Sequence, residues 1–269
     1  MTADSLSPSG PGGRVGFVTG GARGIGAAVA RRLSDEGLSV AVGFRQDEAA
    51  AADVVRRIES CGGRAIPVRG DVSDDDEVDA TFDLVERELG AVGVLVNNAG
   101  IHRAGRITAL SPRDWRAVVD ANLTGSFLCA RRAAPKMTAA GYGRIVNVSS
   151  VIGLNGFPGD AAYASAKAGL FGLTRALALE LAGTGVTVNA VAPGFVDTEM
   201  TQALHEEVLQ RIEASIPLRR QATTEEIADC VAFLARASYV TGSVVVADGG
   251  WTITSGIQPR RPLERDDSR

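Results

Sequence analysis

Arg14-Val-Gly-Phe-Val-Thr19-Gly20-Gly21-Ala22-Arg23-Gly24-Ile25-Gly26-Ala27-Ala28-Val29-Ala30-Arg31-Arg32-Leu33 decides the fold. Its first six residues form a short apolar run of the kind that makes a buried strand. The glycines that follow, spaced G-x-x-x-G-x-G, permit a sharp turn, and the alanine-rich run after them reads as a helix. In such a unit the glycines let the backbone approach a pyrophosphate, while the helix start supplies free N–H groups and a positive dipole end. A tight strand-to-helix turn without a ligand is the alternative reading.

The same alternation continues along the chain. Strand-like runs recur near 15–19, 38–44, 64–69, 93–97, 144–149, 186–191 and 243–247. Helical stretches near 25–36, 47–60, 74–89, 112–137, 161–182 and 223–235 separate them. That order predicts an α/β, Rossmann-type, doubly wound parallel sheet of about seven strands with helices on both faces, and a ligand at the carboxyl ends of the strands. The predicted layout is a disordered Ser/Pro/Gly-rich tail (1–13), one domain (14–254) and a flexible polar tail (255–269).

Composition narrows the function. With 45% hydrophobic and 22% charged residues the chain is an ordinary soluble protein. A net charge of −4 gives no basis for nucleic-acid binding. No apolar run approaches a membrane span and the N-terminus has no signal-peptide core, so a cytoplasmic protein is expected. Cys61, Cys129 and Cys230 are odd in number and far apart, and His102 and His205 lack ligand spacing; neither disulfides nor a metal are expected.

One constellation carries chemistry. Tyr163 and Lys167 stand four apart in Ala-Ala-Tyr-Ala-Ser-Ala-Lys-Ala-Gly (161–169), and Ser150 precedes the tyrosine by thirteen residues. On a helix, i and i+4 share a face, so the ammonium can sit beside the phenol, favour phenolate and lower its pKa toward a usable range. Only two of the 28 basic residues are lysines, Lys136 and Lys167, which hints that a compact ammonium is needed here. A partly exposed amphipathic pair is the alternative.

Thr19-Gly20-x-x-x-Gly24-Ile25-Gly26, Asn97-Asn98-Ala99-Gly100, Asn122, Ser150, Tyr163-x-x-x-Lys167 and Pro193-Gly194 together resemble the short-chain dehydrogenase/reductase family, over about residues 14–254. Within it the chain is most similar to 3-oxoacyl-[acyl-carrier-protein] reductases. The resemblance implies a catalytic set of Asn122, Ser150, Tyr163 and Lys167. Ser150 and Tyr163 would bond the substrate carbonyl oxygen, where negative charge grows as hydride arrives, and Tyr163 would deliver the proton. Lys167 would also hold the nicotinamide ribose, and Asn122 would anchor a water linking Lys167 to solvent. Ser149 competes with Ser150, but the thirteen-residue offset selects Ser150.

The resemblance also implies cofactor contacts. Gly20, Arg23, Gly24, Ile25 and Gly26 form the glycine turn. Asp71 and Val72 meet the adenine, although Asp71 has an alternative role as a helix cap. Asn98, Ala99 and Gly100 pack beside the adenine ribose, although Asn97 and Asn98 equally suit support of the central strands. Pro193, Gly194, Val196 and Thr198 cradle the nicotinamide; a plain turn is the alternative for Pro-Gly. Phe44 stands where NAD-preferring relatives carry an acid. Arg45 follows, and Arg23 lies in the turn; two guanidinium groups suit a 2′-phosphate, which predicts NADPH. Asp47 is the competing carboxylate, with a helix N-cap as its other role.

The predicted substrate pocket comprises His102, Leu154, Phe157, Phe195, Met200 and Leu204, with 198–219 as the lid that the resemblance implies. It suits an acyl or polyketide thioester on acyl-carrier protein. One departure bears on this: the two basic carrier-docking positions of related fatty-acid reductases are Gly141 and Thr184 here. Arg131, Arg132, Lys136 and Arg144 are nearby and could substitute, with a solvated helix face as the alternative role of the first three. A free small-molecule ketone or alcohol is the second reading, and a nucleotide-binding protein without turnover the third. A homotetramer through the helices near 112–137 and 161–182 is expected from the resemblance.

Overall fold

The computed structural model describes residues 15–198 and 206–254. Seven parallel strands form one sheet in the order β3-β2-β1-β4-β5-β6-β7. They are β1 (Val15–Val18), β2 (Ser39–Phe44), β3 (Ala65–Arg69), β4 (Val92–Asn97), β5 (Gly143–Val148), β6 (Val186–Pro193) and β7 (Val244–Ala247). β1 pairs with β2 from Val15↔Ser39 to Val18↔Val42, and with β4 on its other side. The chain therefore winds outward one way from β1 and then restarts the other way from β4. All carboxyl ends lie on one edge, and the crevice opens where the winding reverses.

Helices α1 (Gly24–Asp35), α2 (Glu48–Ser60), α3 (Asp75–Glu88), α4 (Pro112–Val119), α5 (Gly125–Ala140), α6 (Ile152–Asn155) and α7 (Ala161–Glu180) connect the strands, with two more at Glu206–Ser215 and Thr224–Arg236. Val29 and Leu33 of α1 and Ile227, Val231 and Leu234 of the Thr224–Arg236 helix are fully buried against one face of the sheet. Phe82, Val85, Met137 and Ala178 cover the other. Each such large apolar side chain contributes about 1.5–3 kcal/mol.

Two features differ from expectation. The helix anticipated over 112–137 is broken by a π turn at Asp120–Thr124. Buried Asn122 sits in it and donates from Nδ2 to the carbonyls of Ile101 and Val118, both at 2.8 Å. The phase shift that such a turn introduces is confined to one turn, too short to show in the hydrophobic pattern; π turns of this sort gather at functional sites. The second feature is the Glu206–Ser215 helix, within the stretch assigned to a lid. Glu199, Met200 and residues 201–205 lie outside the described residues, as do both tails.

Candidate active site

A cleft of about 1280 Å³ runs along the carboxyl edge of the sheet. The glycine turn forms one side. Gly20 and Gly24 have φ of +62° and +51°, conformations that side-chain-bearing residues rarely adopt. A Cβ on Gly20 would lie 2.9 Å from the Ala99 Cα, and one on Gly26 would collide with the Gly20 carbonyl. Thr19 locks the turn to β4: its Oγ1 accepts from the N–H groups of Asn98 and Ala99, each at 3.0 Å. Asn98 Nδ2 donates to the carbonyls of Thr19 and Gly20. Asn97 lies outside the cleft lining, bonding Asn147 and the Ser126 carbonyl in the core. At the start of α1, Arg23 is extended, no side chain caps the helix and no acid sits in the first turn. That leaves a helix N-terminus suited to an anion.

Arg45 Nη1 pairs with Asp71 Oδ2 at 3.1 Å, and Arg23 with Asp47 at 3.8 Å. Asp47 is the N-cap of α2, accepting from Ala50 N–H. Asp71 is not the cap of α3; Asp74 fills that role. Burial pushes the Asp71 carboxyl up, but the Ser73 hydroxyl and N–H and the Arg45 guanidinium hold it below the usual range.

At the other end of the cleft, β5 delivers Ser149 and Ser150 side by side, and they diverge. Ser149 Oγ donates to the Lys167 carbonyl at 2.8 Å and is spent on α7. Ser150 Oγ accepts from Ile152 N–H, and its hydroxyl is near enough to the Tyr163 phenol to pull that group's pKa down. Lys167 Nζ lies 5.5 Å from the centre of the Tyr163 ring and donates to the Val148 carbonyl at 2.8 Å. The ammonium does not lower the phenol's pKa in this geometry. Burial pushes Tyr163 up to about 12, with Ser150 pulling down and Asp160 pushing further up. Burial likewise pushes Lys167 down to about 8. Lys167 is buried and Tyr163 partly so at the cleft wall, and desolvation is the largest cause of both shifts. Tyr163 therefore keeps its proton across the neutral range.

The cleft gathers the predicted residues Gly20, Arg23, Gly24, Ile25, Gly26, Arg45, Asp71, Val72, Asn98, Ala99, Gly100, His102, Asn122, Ser150, Phe157, Tyr163, Lys167, Pro193, Gly194, Phe195, Val196 and Thr198. Leu154 is not among the lining residues and is 45% exposed, because α6 turns it to solvent. Met200 and Leu204 lie outside the described residues. Sequence reasoning missed Trp251, which stacks edge-on against Phe195 at 5.4 Å. It also missed Asp160, bonded to His102. A tryptophan just past Asp-Gly-Gly at the carboxyl end of the last strand was a usable signal for the first.

A Rossmann-type cleft with a glycine turn, a Ser–Tyr contact and a buried lysine is the arrangement of an oxidoreductase. The comparisons agree. Residues 20–252 match the family described as enoyl-(acyl carrier protein) reductase. The chain is 45% identical over 240 residues to a 3-oxoacyl-[acyl-carrier-protein] reductase of Synechocystis, covering 88% of this chain and 96% of that one. It is 44% identical over 242 residues to a cis-4-hydroxycyclohexanecarboxylate dehydrogenase of Sinomonas cyclohexanicum, covering 89% and 96%. A solved structure from Agrobacterium tumefaciens, provisionally a gluconate dehydrogenase, superposes with a TM-score of 0.85 at 35% identity, covering 89% and 96%. The chain belongs to the short-chain dehydrogenase/reductase family. It is accordingly an oxidoreductase of a family that works with nicotinamide cofactors.

Proposed function

We propose that the chain reduces the 3-oxo group of an acyl thioester to a secondary alcohol, using NADPH. The observation that carries this reading is the convergence of Ser150, protonated Tyr163 and buried Lys167 at one end of a dinucleotide-sized cleft. The similarity to 3-oxoacyl-[acyl-carrier-protein] reductase supports the substrate class. The cleft fits a dinucleotide: a Cβ at Gly20 or Gly26 would fill the cradle, and the α1 N-terminus is free of acids. The glycine turn would hold the diphosphate, Arg23 and Arg45 the 2′-phosphate, and Pro193, Gly194, Val196 and Thr198 the nicotinamide. The bound nicotinamide supplies the hydride.

The protein's own part is electrostatic and acid–base. Ser150 and Tyr163 line the same end of the cleft, where their hydroxyls would meet a carbonyl oxygen that gains charge as it accepts hydride. Tyr163 then gives that oxygen its proton, and Lys167, on the same helix and fixed to the Val148 carbonyl, would hold the nicotinamide ribose. Asn122 holds the loop after β4 in place through the Ile101 carbonyl. The test is Tyr163→Phe: reduction of acetoacetyl thioesters falls by at least about 10²-fold while nucleotide binding persists. Retained turnover would overturn the mechanism.

A second reading has specific support. Arg131 pairs with Asp75, Arg132 with Asp79, Asp83 and Glu86, and Lys136 with Glu86. Arg144 is buried in β5. The basic groups near Gly141 and Thr184 are thus already engaged, which disfavours docking of an acidic carrier protein. The similarity to the cyclohexanecarboxylate dehydrogenase supports a free small-molecule substrate. Turnover of carrier-bound against free substrates decides between the two. Assembly as a homotetramer remains part of the proposal, supported by Phe127 of α5 and Leu179 of α7, both exposed; light scattering tests it. A cytoplasmic setting belongs to the same reading, and no helix among the described residues is long and apolar enough to cross a membrane.

A further inference from the structure

We propose that His102 and Asp160 act as a positioning pair that holds the Tyr163 phenol in place and sets a carboxylate beside it. The inference rests on the reading of Tyr163 as proton donor and adds two residues to it.

The geometry has three parts. His102, in the loop after β4, meets Asp160 Oδ1 through Nε2 at 2.7 Å. The same imidazole packs edge-to-face on the Tyr163 ring, centroids 5.1 Å apart at 84°. A backbone bond from Gly105 N–H to the Gly159 carbonyl, 2.8 Å, ties the two loops a second time. The β4 loop is thereby fastened to the head of α7 beside the residue that matters.

Asp160 occupies the N-cap of α7, a position where a carboxylate ordinarily bonds the first free N–H groups. Here it makes no cap bond. Its carboxylate is given to His102 instead, and its side chain is only 13% exposed. The helix forgoes a cap, and the imidazole gains a fixed orientation.

A carboxylate near a phenol disfavours phenolate. Tyr163 shows this: burial is the larger cause of its raised pKa, and the Asp160 charge adds to it. The titratable groups that face the phenol, among the described residues, are Lys167 on its own helix, Asp160 at that helix's start and His102 from the β4 loop. Keeping the proton on Tyr163 serves reduction. The reverse reaction needs phenolate, so alcohol oxidation should rise with pH along a limb that the pair pushes upward.

Two readouts test this, one of them independent of turnover. The chain has three tyrosines. Tyr142 stacks beside Arg144 and Tyr239 is fully exposed, so Tyr142→Phe with Tyr239→Phe leaves Tyr163 as the only absorbing phenol. In that background Asp160→Asn, which preserves shape, should move tyrosinate formation to lower pH. Alcohol oxidation at a fixed pH on the rising limb should speed up roughly three- to ten-fold, the size of a half to one pH unit. His102→Ala should lower kcat with the nucleotide KM unchanged, and His102→Gln, which can still donate to Asp160, should restore part of the loss. A shifted tyrosinate titration without thioester turnover would uphold the pair while removing the substrate reading. A titration and a pH limb both unmoved by Asp160→Asn would overturn it.

Discussion

The Lys167 ammonium donates to the carbonyl oxygen of Val148 at 2.8 Å, pinning the middle of α7 to the end of β5. The price is a charge that is almost entirely buried. Burial pushes its pKa down to about 8 from an ordinary 10.5. The sign follows from linkage. Below about pH 8 both native and unfolded chains carry the proton, so the native state bears the full cost of the buried charge. Between about 8 and 10.5 the unfolded chain binds more protons than the native one, and stability rises with pH. The swing is on the order of 3 kcal/mol.

Lys167→Met isolates this contribution. The variant should lose thioester reduction yet unfold at a temperature equal to or above that of the wild type near neutral pH. As pH rises through that window the difference should move in favour of the wild type. Above about 10 the raised phenol of Tyr163 works against the native state in both proteins and cancels in the comparison. Thermal melts of the pair across this range measure it; a gap that does not vary with pH would contradict the buried ammonium.

The two glycines that open and close α1's first turn should respond differently to alanine. At Gly26 a Cβ would meet the Gly20 carbonyl and the Asn98 side chain, both fixed by the bond from Asn98 to Gly20. Gly26→Ala should therefore lower stability by roughly 3 kcal/mol or more and abolish nucleotide binding. At Gly24 the nearest neighbour is Thr198 Cγ2 at 3.6 Å. The residual cost there is the positive φ, about 1–2 kcal/mol. Melting temperatures of the two variants, with nucleotide titration, check the order; a milder effect at Gly26 would mean that the turn relaxes.

How far these sites could be read in advance depends on the kind of signal. β1, the glycine turn and α1 were legible because a four-residue strand buried at every position and an amphipathic helix leave opposite periodicities on either side of the turn. β2, β4, β5 and β6 were legible from similar buried apolar runs, whereas β3 and β7 are only partly buried. Asn122 was legible as a residue but not as a π turn. The choice of Ser150 over Ser149 came from an offset; its physical basis, Ser149's bond to the Lys167 carbonyl, appears only when β5 meets α7. Asp160 was invisible because its partner His102 lies far away in sequence, and an aspartate before a helix reads as a cap. The expected lowering of the Tyr163 pKa failed because i and i+4 spacing predicts proximity and says nothing about burial, which dominates here.

Cofactor choice should turn on Arg45. Its guanidinium is half exposed and bonded to Asp71, whose carboxylate is in turn held by the Ser73 hydroxyl and N–H. An exposed pair of this sort is worth little to stability, so Arg45 can redirect a donor to a phosphate at small cost. A charge-assisted bond to phosphate contributes about 1.5–3 kcal/mol. Arg45→Ala should therefore raise the KM for NADPH by roughly ten- to a hundred-fold, leave that for NADH nearly unchanged and alter the melting temperature little. Arg45→Lys should fall between, since an ammonium supplies charge without the bidentate fork. Steady-state kinetics with both nucleotides measure the ratio. If the NADPH to NADH preference is the same in Arg45→Ala as in the wild type, Arg45 does not read the 2′-phosphate, and Arg23 remains to be tested alone.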